Sequence, residues 1–219
     1  LEKLLKIEDS FKYFLFDCDG VILNSNRIKT SAFRVALEKE NELLIEKFIR
    51  YHKKNQGIDR YVKIKYFIEK IKKIKFDKDI YDAILKKYAV YCKRELLHAP
   101  LIPGILDLLK KLNVNPSNKC FVVSGSDQKE LIKIFKKRHL NIFFSEILGS
   151  PKTKYENVQY LINNNKINNP TIFFGDAESD YQTAKKFKFS FVYVYGASDW
   201  LNGMKICKKD KTEIIENFL

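Results

Sequence analysis

Short apolar runs recur along the chain and predict the strands of a buried sheet. The runs are residues 13–16, 120–123, 171–174 and 191–194, with a weaker one at 142–147. Their apolar residues are continuous rather than alternating, which is typical of parallel strands that are covered on both faces. Each run is short enough for a strand and too short for a core helix. The pattern therefore predicts a parallel sheet inside the protein.

Amphipathic stretches separate the later apolar runs and predict helices. These stretches are residues 128–137, 155–163 and 179–187. Strands that alternate with helices indicate parallel pairing through right-handed crossovers. We therefore expect an α/β fold with a Rossmann-like, doubly wound parallel sheet.

The region between the first two predicted strands has a different pattern. It contains four stretches with apolar residues at helical spacing, namely 32–39, 42–52, 61–71 and 80–96. No strand candidate interrupts them, and the region is too long for one crossover connection. We therefore predict an all-helical cap domain at 26–98, inserted into an α/β core domain made of 1–25 and 99–219.

The C-terminal segment has a weaker pattern than the rest of the chain. Its last apolar residues predict a short helix at 213–218, with Thr212 as the N-cap residue because a threonine side chain can accept a backbone hydrogen bond there. We assign no chemistry to this segment.

Composition and charge narrow the classes of function. The chain has 41 Lys and Arg against 27 Asp and Glu, a formal net charge of +14, but the lysines are spread along its whole length. Without an arginine-rich arm or a zinc module, this charge does not favour nucleic-acid binding. Four scattered cysteines without a CxxC pair are typical of a reduced protein, and no apolar stretch is long enough to span a membrane. We expect a cytoplasmic protein, either a monomer or a homodimer.

Two aspartates directly follow the first predicted strand. Asp17 and Asp19 are separated by one residue and followed by Gly20, which lets the chain turn away. The carboxyl ends of strands are where open α/β sheets bind their ligands. Burying two like charges there is costly unless a cation or a reaction uses them.

Three other polar segments lie at predicted strand ends or helix starts. They contain Ser124 and Gly125, then Lys152 and Lys154, and finally Asp176 and Asp180. Each alone has an ordinary explanation, such as a surface turn, a solvated lysine or a helix cap. Their joint occurrence in this order is much less probable by chance than the occurrence of any one of them alone.

This order of motifs resembles the haloacid dehalogenase superfamily, in particular its phosphoglycolate phosphatase-like and β-phosphoglucomutase-like members. The first motif, DxDGxxxxS, matches residues 17–25, and Ser124 matches the second. Lys154 matches the third motif, with Lys152 as a close competitor, and the fourth, GDxxxD, contains Asp176 and Asp180. A helical cap between the first two motifs is also a feature of this family.

The resemblance implies a Mg²⁺-dependent phosphatase that acts on a small phosphorylated metabolite. Asp17 would be the nucleophile, and Asp19 would act as general acid and then general base. The metal would be bound by Asp17, the backbone carbonyl of Asp19 and Asp176. Asp180 would not contact the metal directly but would act through these ligands or through a water molecule. The second acid favours phosphate substrates over haloacids, because a halide leaving group needs no proton.

The remaining implied roles concern substrate binding. Ser124, Gly125 and Lys154 would hold the phosphate. Gly57 followed by Arg60 at a helix start resembles the cap loop of the phosphoglucomutase-like members, in which an arginine reaches the distal group of the substrate. Arg60 could pair with a phosphate or a carboxylate. Lys63, about one helical turn further, is the weaker candidate.

Two other functions stay open at this point. A β-phosphoglucomutase-like phosphomutase would use the same aspartyl phosphate but return the phosphoryl group to a sugar phosphate. A basic binding protein without turnover could retain the same fold, although the intact Asp17, Asp19, Lys154 and Asp176 argue against it.

Overall fold

The computed structural model describes residues 10–219, and within them the apolar runs form one parallel sheet. Its strands are β1 Tyr13–Phe16, β2 Lys119–Asp127, β3 Glu146–Ser150, β4 Thr171–Gly175, β5 Ser190–Val194 and β6 Glu213–Ile215. Residues 1–9 of the predicted core domain lie outside the described part. The strand order is β3-β2-β1-β4-β5-β6, and every neighbouring pair runs parallel. The prediction of a doubly wound parallel sheet is confirmed.

The strand order places two strongly buried strands, β1 and β4, at the centre. β1 pairs with β2 on one side and with β4 on the other, so the chain changes direction of winding beside β1. Phe14, Leu15 and Phe16 are all fully buried because helices cover both faces of the sheet. The rings of Phe16 and Phe174 stack in parallel with their centroids 4.8 Å apart. The carboxyl ends of β1 and β4 therefore border one crevice on a rigid support.

Four helices follow β1 in the stretch that the sequence pattern predicts to be all-helical. They are α1 Asn26–Ala36, α2 Glu42–Lys54, α3 Arg60–Tyr66 and α4 Lys78–Glu95. A π-helical turn, Phe67–Ile71, ends the stretch that the sequence predicts as a single helix. Side chains of Asn41, Asp59 and Asp77 cap the starts of α2, α3 and α4. The cap boundary at 26–98 stays a prediction.

Of the remaining helices, the first leads into β2 and the others connect the later strands. They are α5 Ile105–Leu112, α6 Gln128–Lys137, α7 Lys154–Asn163, α8 Glu178–Phe187 and α9 Gly203–Lys209. The weak run at 142–147 is shifted in the structure, because Asn141–Phe143 forms a 3₁₀ turn and β3 starts at Glu146. Within residues 10–219, no helix has the combined length and hydrophobicity that a membrane span requires.

The prediction of a C-terminal helix at 213–218 with Thr212 as its N-cap is wrong. Residues Glu213–Ile215 form β6, which pairs in parallel with β5, and the helix of this region is α9 instead. Pairing with an exposed strand edge gives the backbone hydrogen bonds that a helix of about six residues could not supply by itself. Pairing with β5, rather than the local helix propensity of these residues, therefore decides their structure.

Candidate active site

Carboxylates from β1 and β4 meet in the crevice at the carboxyl end of the sheet. Asp17 continues β1, and its backbone N–H donates to Phe174 O of β4 at 3.0 Å. Asp176 directly follows β4, and Asp180 lies in the first turn of α8. One carboxylate oxygen from each of these three aspartates lies within 4.8 Å of the others, and all three residues are buried. Strand register therefore brings together acids that are some 160 positions apart in the sequence.

The glycine after the two acids permits this close approach. Gly20 has a backbone φ of +85°, which residues other than glycine rarely adopt. A Cβ atom at this position would lie 2.3 Å from Asp176 Oδ2. The same oxygen accepts a 2.7 Å hydrogen bond from Asn26 Nδ2 at the start of α1. The loop after β1 thus fixes the position of Asp176 as well as that of Asp17.

One lysine lies among these acids. Lys154 Nζ is 2.5 Å from Asp180 Oδ1 and 3.1 Å from Asp17 Oδ2, and the residue is buried. Thr153 places it there by capping α7, since its hydroxyl accepts from Glu156 N while Glu156 bonds back to Thr153. Lys152 is exposed, and its ammonium group lies over the ring of Tyr160. Of the two lysines that the sequence leaves open, the structure brings Lys154 to Asp17.

The electrostatics of the cluster favour a bound cation. Burial raises the pKa of Asp17 to about 7 against the opposing effect of Lys154, and burial together with Asp17 raises the pKa of Asp176 well above its usual value. Asp17 Oδ1 is buried and has no hydrogen-bond partner among the described residues. Hard carboxylate oxygens are the ligands that Mg²⁺ prefers. The residues present therefore fit a divalent cation of this kind.

Asp19 lies in a different environment from Asp17. It accepts hydrogen bonds from Ser25 Oγ at 2.5 Å and from Ser126 Oγ at 2.6 Å, and Lys29 Nζ is 3.6 Å away. Burial by itself raises the pKa of Asp19, but Lys29 and the two hydroxyls outweigh burial and hold this pKa below its usual value. The two acids of the first motif therefore have opposite pKa shifts, which suits different roles.

Lys29 and Ser126 are functional candidates that the sequence did not reveal. Lys29 Nζ donates to Ser126 Oγ at 2.8 Å, and that hydroxyl in turn donates to Asp19. Lys29 belongs to α1 and Ser126 to β2, so only the fold brings them together. Ser25, by contrast, is the last residue of the first motif and can therefore be recognised from the sequence.

Ser124 and Gly125 lie at the end of β2, across the crevice from the acids. Ser124 is buried, and its Oγ accepts from Ser126 N at 3.1 Å. A Cβ atom on Gly125 would lie 2.2 Å from the backbone oxygen of Gly57. The backbone of the loop before α3 therefore packs directly on this strand end.

That loop and the first two residues of α3, together residues 55–61, close over the crevice through several polar contacts with the core. Tyr61 Oη donates to Asp127 Oδ2 at 2.6 Å, and Gln56 makes two 3.3 Å hydrogen bonds with Asp199. Arg60 Nη2 is 2.7 Å from Glu130 Oε2. Arg60 is thus buried at the crevice with much of its charge offset by the core.

The loop and the core line a partly open cavity of about 50 Å³. Asp17, Asp19 and Ser124 line it from the core, and Arg60, Lys63 and His52 line it from the inserted helices. Every residue predicted for catalysis or substrate binding lines this cavity except Lys154, whose Nζ lies 3.1 Å from Oδ2 of the cavity-lining Asp17. The small volume and the several charged side chains in the wall suit a compact, charged ligand.

Comparisons with known proteins bear on the fold and the family of the chain. A family model described as haloacid dehalogenase-like hydrolase matches residues 14–194. No curated protein matches the chain. Among solved structures, a predicted phosphoglycolate phosphatase from Haemophilus somnus is 20% identical, with 95% of each chain covered and a TM-score of 0.74.

Two other solved structures show the same fold at similar identity. A predicted phosphatase from Clostridium acetobutylicum is 20% identical over 94% of this chain and 93% of that one, with a TM-score of 0.70. β-Phosphoglucomutase from Clostridium difficile is 18% identical over 94% of this chain and 91% of that one, with a TM-score of 0.71. Because the family model spans most of the sequence, including all four motifs, the chain belongs to the haloacid dehalogenase-like hydrolase family.

Proposed function

We propose that the protein is a Mg²⁺-dependent phosphatase that hydrolyses a small phosphorylated metabolite through an aspartyl phosphate on Asp17. The observation that carries this proposal is the environment of the Asp17 carboxylate. It is buried at the end of β1, lies 3.1 Å from Lys154 Nζ, and lines the same cavity as Ser124. Phosphoryl transfer needs mainly positioning and charge stabilisation, and this site offers both.

The metal would be held by Asp17, Asp176 and the backbone carbonyl of Asp19. Asp180 is the less suitable direct ligand, because Lys154 Nζ occupies one of its oxygens and Ala177 N donates to the other at 3.1 Å. When bound, Mg²⁺ would offset the repulsion between the Asp17 carboxylate and a phosphate, which amounts to about 4 kcal/mol for two unit charges 4 Å apart at an effective dielectric of 20.

The first chemical step would transfer the phosphoryl group to the enzyme. An oxygen of Asp17 forms a bond to phosphorus as the bond to the leaving oxygen breaks, and Asp19 gives that oxygen a proton. Lys154 and the Ser124 hydroxyl stabilise the charge on the phosphoryl oxygens. Asp19 is held ionised by Lys29 in the free protein, and the negative charge of an entering phosphate would raise its pKa and favour protonation.

The second step would release inorganic phosphate. Asp19, now ionised, takes a proton from a water molecule, whose oxygen bonds to phosphorus as the bond to Asp17 breaks. The hydrogen bonds from Ser25 and Ser126 keep the Asp19 carboxylate at one position for both steps. Because the two acids have different surroundings, Asp17 can act as the nucleophile while Asp19 donates and accepts the proton.

The proposal is tested by measuring phosphate release from a panel of phosphorylated metabolites and from p-nitrophenyl phosphate. We expect release that requires Mg²⁺ and that falls on the order of 10⁴-fold in Asp17→Asn. Asp107→Asn is the matched control, because this aspartate is 83% exposed and far from the site in the sequence. Full activity in Asp17→Asn would refute the proposal. Conversion of a hexose 1-phosphate to its isomer, in place of phosphate release, would favour a phosphomutase.

A further inference from the structure

Asp176 differs from the other acids of the site in the kind of side chain that contacts its carboxylate. Each of the other aspartates lies within 4 Å of a lysine ammonium group, namely Asp17, Asp19 and Asp180. Among residues 10–219, Asp176 makes no such ion pair, and Lys154 acts on it electrostatically without direct contact. Its Oδ2 instead accepts a 2.7 Å hydrogen bond from Asn26 Nδ2. A neutral donor of this kind orients a carboxylate without cancelling its negative charge.

Two acceptors fix the amide group of Asn26. Besides its bond to Asp176, Asn26 Nδ2 donates to Ala197 O at 2.8 Å, in the segment that follows β5. A side-chain amide has two N–H groups, so both of them are used. Because a carboxylate and a carbonyl can only accept, the NH₂ end of the amide must face them. Asn26 therefore presents its donor to Asp176 in one orientation.

The surrounding backbone is shaped to admit this hydrogen bond. Asn26 directly follows the first motif and begins α1, the first helix after β1. A Cβ atom on Gly20 would lie 2.7 Å from Asn26 Nδ2 and 2.3 Å from Asp176 Oδ2, so the glycine leaves room for both groups. Ser198 Oγ donates to the backbone oxygen of Asp176 at 2.5 Å. The carboxylate and the backbone of Asp176 are therefore held by two different side chains.

We propose that Asn26 is a positioning residue for the divalent cation, because it holds the Asp176 carboxylate in the orientation that binds the ion. The inference rests on the proposed function, which places the metal at Asp176. A side chain that holds a metal ligand typically contributes about 10- to 100-fold to metal affinity. Asn26 also belongs to α1, so the start of the inserted helices takes part in metal binding.

The test measures cation binding by the full chain without substrate. Mn²⁺ is the probe, because it takes the same hard oxygen ligands as Mg²⁺ and its free ion is counted by electron paramagnetic resonance. We expect Asn26→Ala to raise the Kd for Mn²⁺ by about 10- to 100-fold. Asn26→Leu keeps most of the side-chain volume but has no N–H group, so it should lose affinity similarly and decides the matter if the alanine variant does not fold.

Two variants serve as controls for the Mn²⁺ titration. Asn24→Ala should keep the wild-type Kd, because Asn24 is an exposed asparagine two positions before Asn26. Asp176→Asn should abolish binding, which assigns the measured Kd to this site. Binding that survives unchanged in Asp176→Asn would overturn the inference.

Phosphate release gives a second readout that a merely structural role would not move. In Asn26→Ala the Mg²⁺ concentration for half-maximal release should rise with the Kd, while kcat at saturating Mg²⁺ stays within about 3-fold of the wild type. Wild-type Mn²⁺ binding by Asn26→Ala and Asn26→Leu would overturn the inference, as would a wild type that binds no Mn²⁺. A wild type that binds Mn²⁺ but releases no phosphate would refute the proposed function, and the Kd values of the two variants would still decide the role of Asn26.

Discussion

Replacing Gly125 by alanine tests whether the loop before α3 must close on the core during turnover. The new Cβ would lie 2.2 Å from Gly57 O, whereas a carbon and a carbonyl oxygen in ordinary contact stay about 3.3 Å apart. The loop would therefore have to move by about 1 Å. Gly125 does not have a positive φ, so alanine fits the strand itself. Alanine also keeps the backbone N–H that could donate to a phosphate.

The displaced loop carries groups that line the cavity. Gly57, Ile58 and Arg60 all contribute to its wall. A misplacement of about 1 Å in positioning residues can cost about 10²-fold in rate, so we expect kcat/KM of Gly125→Ala to fall by about that factor. The assay is Mg²⁺-dependent phosphate release from the best substrate. Circular dichroism should show an unchanged secondary structure.

Lys119→Ala is the control, because this exposed residue begins the same strand at the opposite end of the sheet. It should keep the wild-type kcat/KM. A Gly125→Ala protein with wild-type kcat/KM would show that the loop does not need this contact during turnover. The reasoning that links closure to catalysis would then be wrong.

Three further predictions concern stability. Phe174→Ala should lower the free energy of unfolding by about 3–5 kcal/mol in urea titrations, because Phe174 is fully buried and stacks on Phe16; a loss below 1 kcal/mol would contradict this packing. Burial lowers the pKa of Lys63 from 10.5 in the unfolded chain to about 7 in the native protein. Between these pH values the unfolded chain binds one more proton than the native protein, so the cost of burying Lys63 to the free energy of unfolding is largest below pH 7. Lys63→Met should therefore gain stability over the wild type at pH 6 and lose that advantage towards pH 10, whereas a pH-independent difference would refute the shift. Mg²⁺ at 100 times its Kd should stabilise the wild type by about 2.7 kcal/mol in thermal unfolding, and Asp176→Asn should abolish this gain.

Much of the fold could be predicted because its strands are strongly apolar and its motifs are local. The run at 13–16 is buried in the centre of the sheet, and such strands leave a pattern that the sequence displays directly. The last strand, β6, could not be predicted in the same way. It has three partly buried residues, and pairing with β5 rather than its own composition decides its structure.

Some residues of the candidate site could likewise be predicted from the sequence, and others could not. Asp17, Asp19 and Asp176 stand next to strand ends, so sequence position alone predicts their meeting. The choice between Lys152 and Lys154 depends on which residue starts α7 and faces inward, which two neighbouring lysines do not reveal. The contact of Lys29 with Ser126 joins segments that are far apart in the sequence, and the contact of Lys63 with His52 joins two consecutive helices. Such contacts depend on how the helices pack on the sheet and on one another, and they leave no local signal in the sequence.

The identity of the phosphorylated residue is the most direct test of the account. Wild-type protein is mixed with substrate and Mg²⁺, quenched during turnover and treated with borohydride, which reduces an acyl phosphate of aspartate to homoserine. Peptide mass spectrometry should then find homoserine at position 17. Modification at another residue, or wild-type turnover by Asp17→Asn, would contradict the central claim that Asp17 is the nucleophile.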